Sequence, residues 1–420
     1  MDRRVVITGM GVAAPNGVGL DAFEMAIRGG TSGILHDPEL KRLNFACQVS
    51  GRPDTTKIDI HKYLTELELR NFNSSGILYG LVAGMDAWAD AGLSSGDVDH
   101  DSGAIFGTGS LGTEKFRESI YRIDAGEARK LGSTAVQQTM SSGIAAYLAG
   151  KLGLGNQVTS NSSACCTGTE SLIMAFERIR AGLADRMLAG STGDSGPYIW
   201  AGFDAMRVLS SRHNDDPASA SRPMSADASG FVPASGAGCL LVESLDSAKS
   251  RGASIYCEVL GGWVNSGGQR DPGSMVAPNP DAVVRCIVSA LQRSGISARS
   301  IDVINGHLTA TAKDAVEIGN WARALDRYGG NFPLINSVKG MTGHCLAGAG
   351  SIECVASVLQ IAKSFVFGNV NCGQLNPEIA KIIDPARIPL KTLETDVNYL
   401  AKASFGFGDV NACVILKKYE

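Results

Sequence analysis

The chain has 420 residues, 44% of them hydrophobic and 19% charged, the balance of a globular protein with a large core and more length than one ordinary domain needs. A net charge of −4 removes any overall electrostatic case for nucleic acid, and no apolar run approaches the roughly 18 residues of a membrane span. Ten cysteines scattered without paired spacing argue against a disulfide framework and against a Cys-x-x-Cys metal site, so no metal is expected; with no signal peptide ahead of the first strand, reduced thiols in a cytoplasm are expected.

In chain order, Arg4-Val-Val-Ile-Thr-Gly9 reads as an opening strand. Strands rich in Val, Ile and Ala then alternate with longer amphipathic helices, the pattern of an α/β protein with mostly parallel sheets. Met85-Asp-Ala-Trp-Ala-Asp-Ala-Gly-Leu93 is helix and cap, followed by a polar turn and the strand Ala104-Ile-Phe-Gly-Thr-Gly109. Gln157-Val-Thr-Ser160 reads as a strand end. The stretch Asn161-Ser-Ser-Ala-Cys-Cys-Thr-Gly-Thr-Glu170 then turns sharply into a helix. That helix is expected to bury Leu172, Ile173, Phe176, Ile179 and Leu183, with Glu177, Arg178 and Arg180 opposite. Cys165 and Cys166 fall at its N-terminus, where unpaired N–H groups and the macrodipole favour a thiolate. Such a site suits covalent catalysis through sulfur.

The strand Cys239-Leu-Leu-Val-Glu243 and another starting at Ile255 flank residues 247–252, the expected boundary between halves at 1–250 and 251–420. Beyond it the pattern recurs. A helix around Ile287 to Ile296 is followed by a polar turn and Val303-Ile-Asn-Gly-His307. Asn336-Ser-Val matches Asn161-Ser-Ser, and Thr342-Gly343 matches Thr167-Gly168. From cap to asparagine is 68 positions in the first half and 40 in the second. The extra segment is expected to line a pocket or contact another subunit.

Of the six histidines, His307 and His344 follow second-half strands beside threonine and glycine, whereas His36, His61, His100 and His213 lie in polar stretches and read as surface residues. Ligand crevices in open α/β sheets form at the C-terminal ends of strands. Duplicated halves can bring both sets of strand ends to one pocket, with the cysteine from one half and the histidines from the other. Acyl transfer to sulfur needs a thiolate. Carbon–carbon bond formation from a malonyl thioester needs donors aimed at the oxygen that becomes an enolate as carbon dioxide leaves. Two neutral imidazoles in a dry pocket can serve, each donor contributing about 3 kcal/mol.

At these residues the sequence resembles the β-ketoacyl-acyl-carrier-protein synthases, the condensing enzymes of type II fatty acid and polyketide pathways. Val5-Val-Ile-Thr-Gly-Met-Gly-Val12, the Cys165 elbow, Ser221-Arg-Pro, Gly230-Phe231, the His307 loop, Lys339 to His344 and Ser404-Phe-Gly-Phe-Gly408 appear in family order over essentially the whole chain. The Cys-His-His pattern is similar to the elongating branch. Initiating relatives use Cys-His-Asn, and thiolases place a second reactive cysteine near the C-terminus, where Cys413 reads as strand core. The resemblance implies the thiolase fold, an α/β architecture of duplicated halves in a five-layered αβαβα arrangement. It implies a dimer, as homodimer or ketosynthase heterodimer. It assigns Cys165 as nucleophile, His307 and His344 as the decarboxylation pair and Lys339 as electrostatic support. Thr309 and Thr311 would contact a phosphopantetheine arm that arrives on the acyl carrier protein, so no cofactor of the chain's own is implied. Phe407 would give an oxyanion-hole N–H beside that of Cys165, with Phe405 or Phe407 gating the acyl pocket. Arg129, Lys130 and Arg207 match positions where the acidic carrier docks.

The sequence departs from the family pattern in four places. His-Gly-Thr-Ser-Thr becomes His307-Leu-Thr-Ala-Thr311, and Leu308 is expected to narrow the space beside His307. Gly-Phe-Gly-Gly becomes Gly406-Phe-Gly-Asp409. The segment Leu64-Thr-Glu-Leu-Glu-Leu-Arg70 is acidic where basic residues are usual, and Arg-Pro-Phe-Asp becomes Arg222-Pro-Met-Ser225. These put the acyl group and carrier in question and leave room for a specialised pathway such as polyketide or aryl polyene assembly. Two rival readings use the same scaffold. One is a non-catalytic chain-length subunit, which generally lacks the cysteine; the other is a malonyl decarboxylase or acyltransferase that uses the same residues without condensation.

Overall fold

The computed structural model describes residues 3–420. Five strands of the first half are β1 (Val5–Ala14), β2 (Ser102–Thr108), β3 (Val158–Thr159), β4 (Arg186–Gly193) and β5 (Gly236–Ser244). Five of the second are β6 (Cys257–Ser266), β7 (Val303–Asn305), β8 (Leu334–Asn336), β9 (Tyr399–Gly406) and β10 (Val410–Lys417). They lie in the order β8-β7-β9-β10-β6-β1-β5-β4-β2-β3. Outward from β1, the pairings to β5 and β4 are antiparallel and those to β2 and β3 parallel. Outward from β6, the sequence to β10, β9, β7 and β8 is the same. β1 and β6 join antiparallel at the centre. The duplication read from the sequence is thus a repeat of strand order and direction.

The main helices are α1 (Ser75–Asp90), α2 (Thr113–Asp124), α3 (Gly143–Leu152), α4 (Thr167–Arg180), α5 (Pro280–Ser294), α6 (Asp314–Leu325) and α7 (Ala349–Ala362). One apolar cluster joins α1 and α3 to the outer face of the first half-sheet, and another joins α5 and α6 to the outer face of the second. Between the half-sheets lie α4 and α7, whose Leu172, Phe176, Ile352 and Val355 share the largest cluster with both sheets. The five layers follow, and α7 reads as apolar nearly all round because it is buried on every side. Gly168 and Gly350 let α4 and α7 touch backbone to backbone: a Cβ on Gly350 would stand 2.7 Å from the Thr169 nitrogen. No helix among the described residues is long and apolar enough to cross a membrane.

The sheet is mixed and not mostly parallel, because the strands next to the β1–β6 seam run antiparallel and only the outer ones parallel. Two local expectations are also corrected. α4 ends at Arg180, so Leu183 lies beyond it and is exposed. Thr342-Gly343 is not the counterpart of Thr167-Gly168. The structural echo of Ala164, which has φ 51° and opens a 3-10 turn into α4, is Leu346, with φ 52° and a 3-10 turn into α7. The second half takes a longer path from its asparagine to its helix, and Lys339 and His344 lie on it. The extra first-half segment holds α2, α3 and intervening turns, and exposes Phe116, Ile120, Tyr121 and Ile123 of α2.

Candidate active site

Strand ends and helix starts from both halves meet at a cavity of about 660 Å³ lined by Cys165, His307, His344, Thr309, Thr311, Phe231, Phe405 and Phe407. The Cys165 sulfur and one ring nitrogen of each histidine lie within 4.8 Å of one another. Cys165 is carried on the 3-10 turn Ala164–Cys166 at the head of α4. Ala164 is held in the left-handed region that a residue with a Cβ rarely adopts, and this bend aims one cysteine at the cavity and the next into the core. Cys166 is fully buried and its thiol bonds to the carbonyls of Ser404 (3.1 Å) and Val410 (3.2 Å).

The backbone N–H groups of Phe407 and of Cys165 itself favour the thiolate of Cys165. Burial nevertheless pushes that thiol up to about 11, against the pull of the Lys339 ammonium and with a further push from Glu353. The resting group is therefore a thiol; the thiolate expected from the helix terminus alone is overridden by desolvation. Alkylation of Cys165 by iodoacetamide is expected to be slow at pH 7 and to rise about tenfold per pH unit with no plateau below about pH 10, as a thiolate-limited reaction does. Mass-spectrometric rates across pH check this, and a plateau near neutrality would contradict it.

Both histidines are buried and held neutral, their pKa pushed well below the usual imidazole value first by burial and next by Lys339. Their tautomers follow from the partner that each Nδ1 has. His344 Nδ1 accepts from the Leu346 N–H at 3.1 Å, and His307 Nδ1 faces the Lys339 ammonium at 3.4 Å. Each Nδ1 must be the acceptor, so each Nε2 carries the proton. Three ligand-type groups are close enough for a metal, but each imidazole has its Nδ1 lone pair engaged and carries a proton on Nε2, which suits a nascent oxyanion better than a cation.

Lys339 is buried, with its ammonium 2.6 Å from the His307 carbonyl and paired to the Glu353 carboxylate. Lys402 lies 2.7 Å from the same carboxylate and donates to Ser404 Oγ at 2.8 Å. Two cations around one anion leave net positive charge behind the histidines, which opposes their protonation. Beneath the His307 loop, Glu317 accepts the N–H groups of His307 (2.7 Å) and Leu308 (2.8 Å), while Asp314 accepts those of Thr309 (3.0 Å) and Ala310 (3.2 Å). Burial raises Glu317 to about 7 and Asp314 to about 6 despite these bonds. Glu353, Lys402, Glu317 and Asp314 were not singled out from the sequence.

Thr309 and Thr311 line the cavity with their hydroxyls 3.2 Å apart. Phe405 stands edge-on to His307 with ring centres 6.1 Å apart, and Phe231 edge-on to His344 at 5.1 Å. Arg129, Lys130 and Arg207 are all exposed and lie outside the cavity. Lys130 pairs with Glu127 at 2.7 Å, and Arg207 directly precedes the cavity residue Val208. His36, His61 and His100 are exposed as expected, whereas His213 is half-buried, 3.9 Å from Asp227. All ten cysteines are free thiols, Cys413 in the β10 core among them.

Leu308 does not narrow the site. It is fully buried in the cluster of Ile304, Ile318, Trp321 and Ile335, off the cavity lining. Its φ of 25° turns the side chain inward, and the Glu317 and Ser337 bonds to its backbone hold that turn. Leu308→Ala is expected to lower stability by about 2–5 kcal/mol while leaving the accepted acyl groups unchanged; denaturant unfolding and a substrate panel separate the two.

The family model for the β-ketoacyl synthase N-terminal domain matches residues 2–248, and that for the C-terminal domain matches 256–373. The chain is 33% identical over 421 residues to 3-oxoacyl-acyl-carrier-protein synthase 2 of Vibrio cholerae, covering 99% of both. It is 32% identical over 426 residues to synthase 1 of Escherichia coli K12, covering 100% of both. Among solved structures, a type II polyketide ketosynthase in complex with its acyl-carrier protein matches with TM-score 0.87 and 30% identity over 100% of both chains. The ishigamide ketosynthase/chain length factor matches with TM-score 0.87 and 25% identity over the same coverage. With the repeated half-sheets and a cysteine facing two neutral histidines, these likenesses place the chain in the β-ketoacyl synthase family.

Proposed function

We propose that the chain is a β-ketoacyl-acyl-carrier-protein synthase that condenses a Cys165-bound acyl group with a malonyl thioester, in fatty acid or specialised polyketide or aryl polyene synthesis. The observation that carries this reading is the convergence of one thiol, two Nε2–H donors and two backbone N–H donors on one cavity. In the loading step, the Cys165 sulfur bonds to the acyl carbon and the bond to the pantetheine sulfur breaks. The thiol proton passes to the departing thiol, so no net base is consumed. The N–H groups of Cys165 and Phe407 hold the oxyanion of the tetrahedral intermediate.

In the second step, the malonyl carboxylate leaves as carbon dioxide and His307 and His344 bind the enolate oxygen. The enolate carbon attacks the acyl–Cys165 carbonyl, the carbon–sulfur bond breaks, and the released thiolate takes from solvent the one proton that the condensation consumes. Lys339 acts through His307, holding its tautomer and keeping it neutral. The threonine pair at 309 and 311 suits the amides of the arm, and Phe405 and Phe407 suit a gate between arm and acyl pocket. The arm travels on the carrier protein, so the chain needs no cofactor of its own. We place the enzyme in the cytoplasm as a homodimer or ketosynthase heterodimer.

Mass spectrometry of the protein with a panel of acyl-carrier-protein thioesters, followed by malonyl-carrier, tests the reading. Loading at one cysteine and release of a β-ketoacyl product are expected; carbon dioxide release without condensation would indicate a decarboxylase, and no loading a non-catalytic subunit. Arg129, Lys130 and Arg207 are assigned to carrier docking. Reversing two of these charges should raise KM for carrier-bound substrate more than for a pantetheine analogue, and added salt should weaken only the former. Equal loss for both would refute the docking role.

A further inference from the structure

A carboxylate beside the oxyanion turn is left unexplained by the chemistry above. Asp409 stands one residue past Gly406-Phe-Gly408, is fully buried, and has a φ of 60°, a left-handed conformation that Asp adopts more readily than most residues with a Cβ. It has no ion-pair partner among the described residues. Its Oδ1 accepts the Asn279 N–H at 2.7 Å and its Oδ2 accepts the Gln269 N–H at 3.0 Å. Its carbonyl accepts the Gly267 N–H at 2.9 Å, and the Gly408 N–H donates to the Met275 carbonyl at 2.8 Å. All four bonds reach residues 267–279, the segment that presents Pro272, Val276, Ala277 and Pro278 to the cavity. A turn flanked by glycines would otherwise be soft.

We propose that Asp409 is a positioning residue. It ties the turn bearing the Phe407 N–H to the 267–279 wall, so that a substrate seated against Val276 to Pro278 steadies the oxyanion donor. This rests on the assignment of that N–H to the oxyanion hole.

The test uses Asp409→Gly, which suits the left-handed backbone but removes both side-chain bonds, and Asp409→Asn, which keeps one acceptor. Amide exchange in 267–279 should quicken about tenfold in the glycine variant, as for a locally released segment, with little change elsewhere or in Tm. The kcat of acyl loading should fall about tenfold, a partial loss of one oxyanion donor, with KM nearly unchanged and the asparagine variant intermediate. Alkylation of Cys165 by iodoacetamide, a displacement that builds no oxyanion, should fall by less than loading, since it loses only the help of the Phe407 N–H to the thiolate. Unchanged exchange, or alkylation falling as far as loading, overturns the proposal, as does a global fall in Tm equal in both variants. Failure of the wild type to load any acyl group would sink the parent reading and the oxyanion role with it. The exchange result alone would then still report whether Asp409 ties the wall.

Discussion

Cys165→Ala is expected to abolish acyl loading, with Cys166→Ala retaining it. The two residues are neighbours in sequence and opposites in environment. Cys165 faces the cavity, where the N–H groups of Phe407 and of Cys165 itself favour its thiolate, whereas the Cys166 thiol is spent on two carbonyls in the core. Removing the nucleophile of a concerted site costs on the order of 10⁶-fold in kcat in well-studied hydrolases, so loss to background is the expected scale. Cys166→Ala leaves a small void and two carbonyls without a weak donor, a stability loss of about 1–2 kcal/mol with the cavity intact. Intact-mass measurement after incubation with an acyl-carrier thioester reads both outcomes. A loaded adduct on Cys165→Ala would reassign the nucleophile.

How much of this was legible in the chain differs by element. The Cys165 elbow could be read because a thiol between small residues, at a change from strand to helix, is a local pattern. The duplication was legible as recurring helix, cap, strand and asparagine, although its register slipped between Thr342 and Ala349. There the second half spends extra residues on a path that carries His344, and periodicity does not record a detour. Leu308 was misplaced for a related reason: its direction is set by a φ of 25° that two buried carboxylates impose from α6, a tertiary constraint with no local sign. Glu353 had a signal that went unread, a single acid in the otherwise uncharged run of α7. A lone charge that must be buried requires a partner, and Lys339 and Lys402 are its partners. The thiolate was misjudged because a helix terminus is visible in sequence and burial is not. The role of Asp409, similarly, depends on a wall 130 residues away in the chain.

His307→Ala and His344→Ala are each expected to lower condensation by about 10²–10³-fold, the usual effect of losing one oxyanion donor, while loading of Cys165 suffers much less. The argument rests on proton position. With Nδ1 of His344 occupied by the Leu346 N–H and Nδ1 of His307 by Lys339, each ring offers the pocket an N–H and no lone pair. Neither is set up as a base for loading, and both suit the enolate. Because both pKa values lie well below the ordinary imidazole range, the donors stay neutral across the neutral range and decarboxylation by preloaded enzyme should show no imidazole titration there; an inflection near pH 7 or pH 6 belongs to Glu317 or Asp314 beneath the His307 loop. His344→Gln, which can still place an N–H near the vacated position, should recover part of the loss; His344→Leu should not. If the two imidazoles share one oxygen, removing both should lower the rate by less than the product of the single effects. Carbon dioxide release measured on acyl-loaded protein reads all of these together. Normal release from both alanine variants, with malonyl thioester bound, would show that the enolate is stabilised by groups other than His307 and His344.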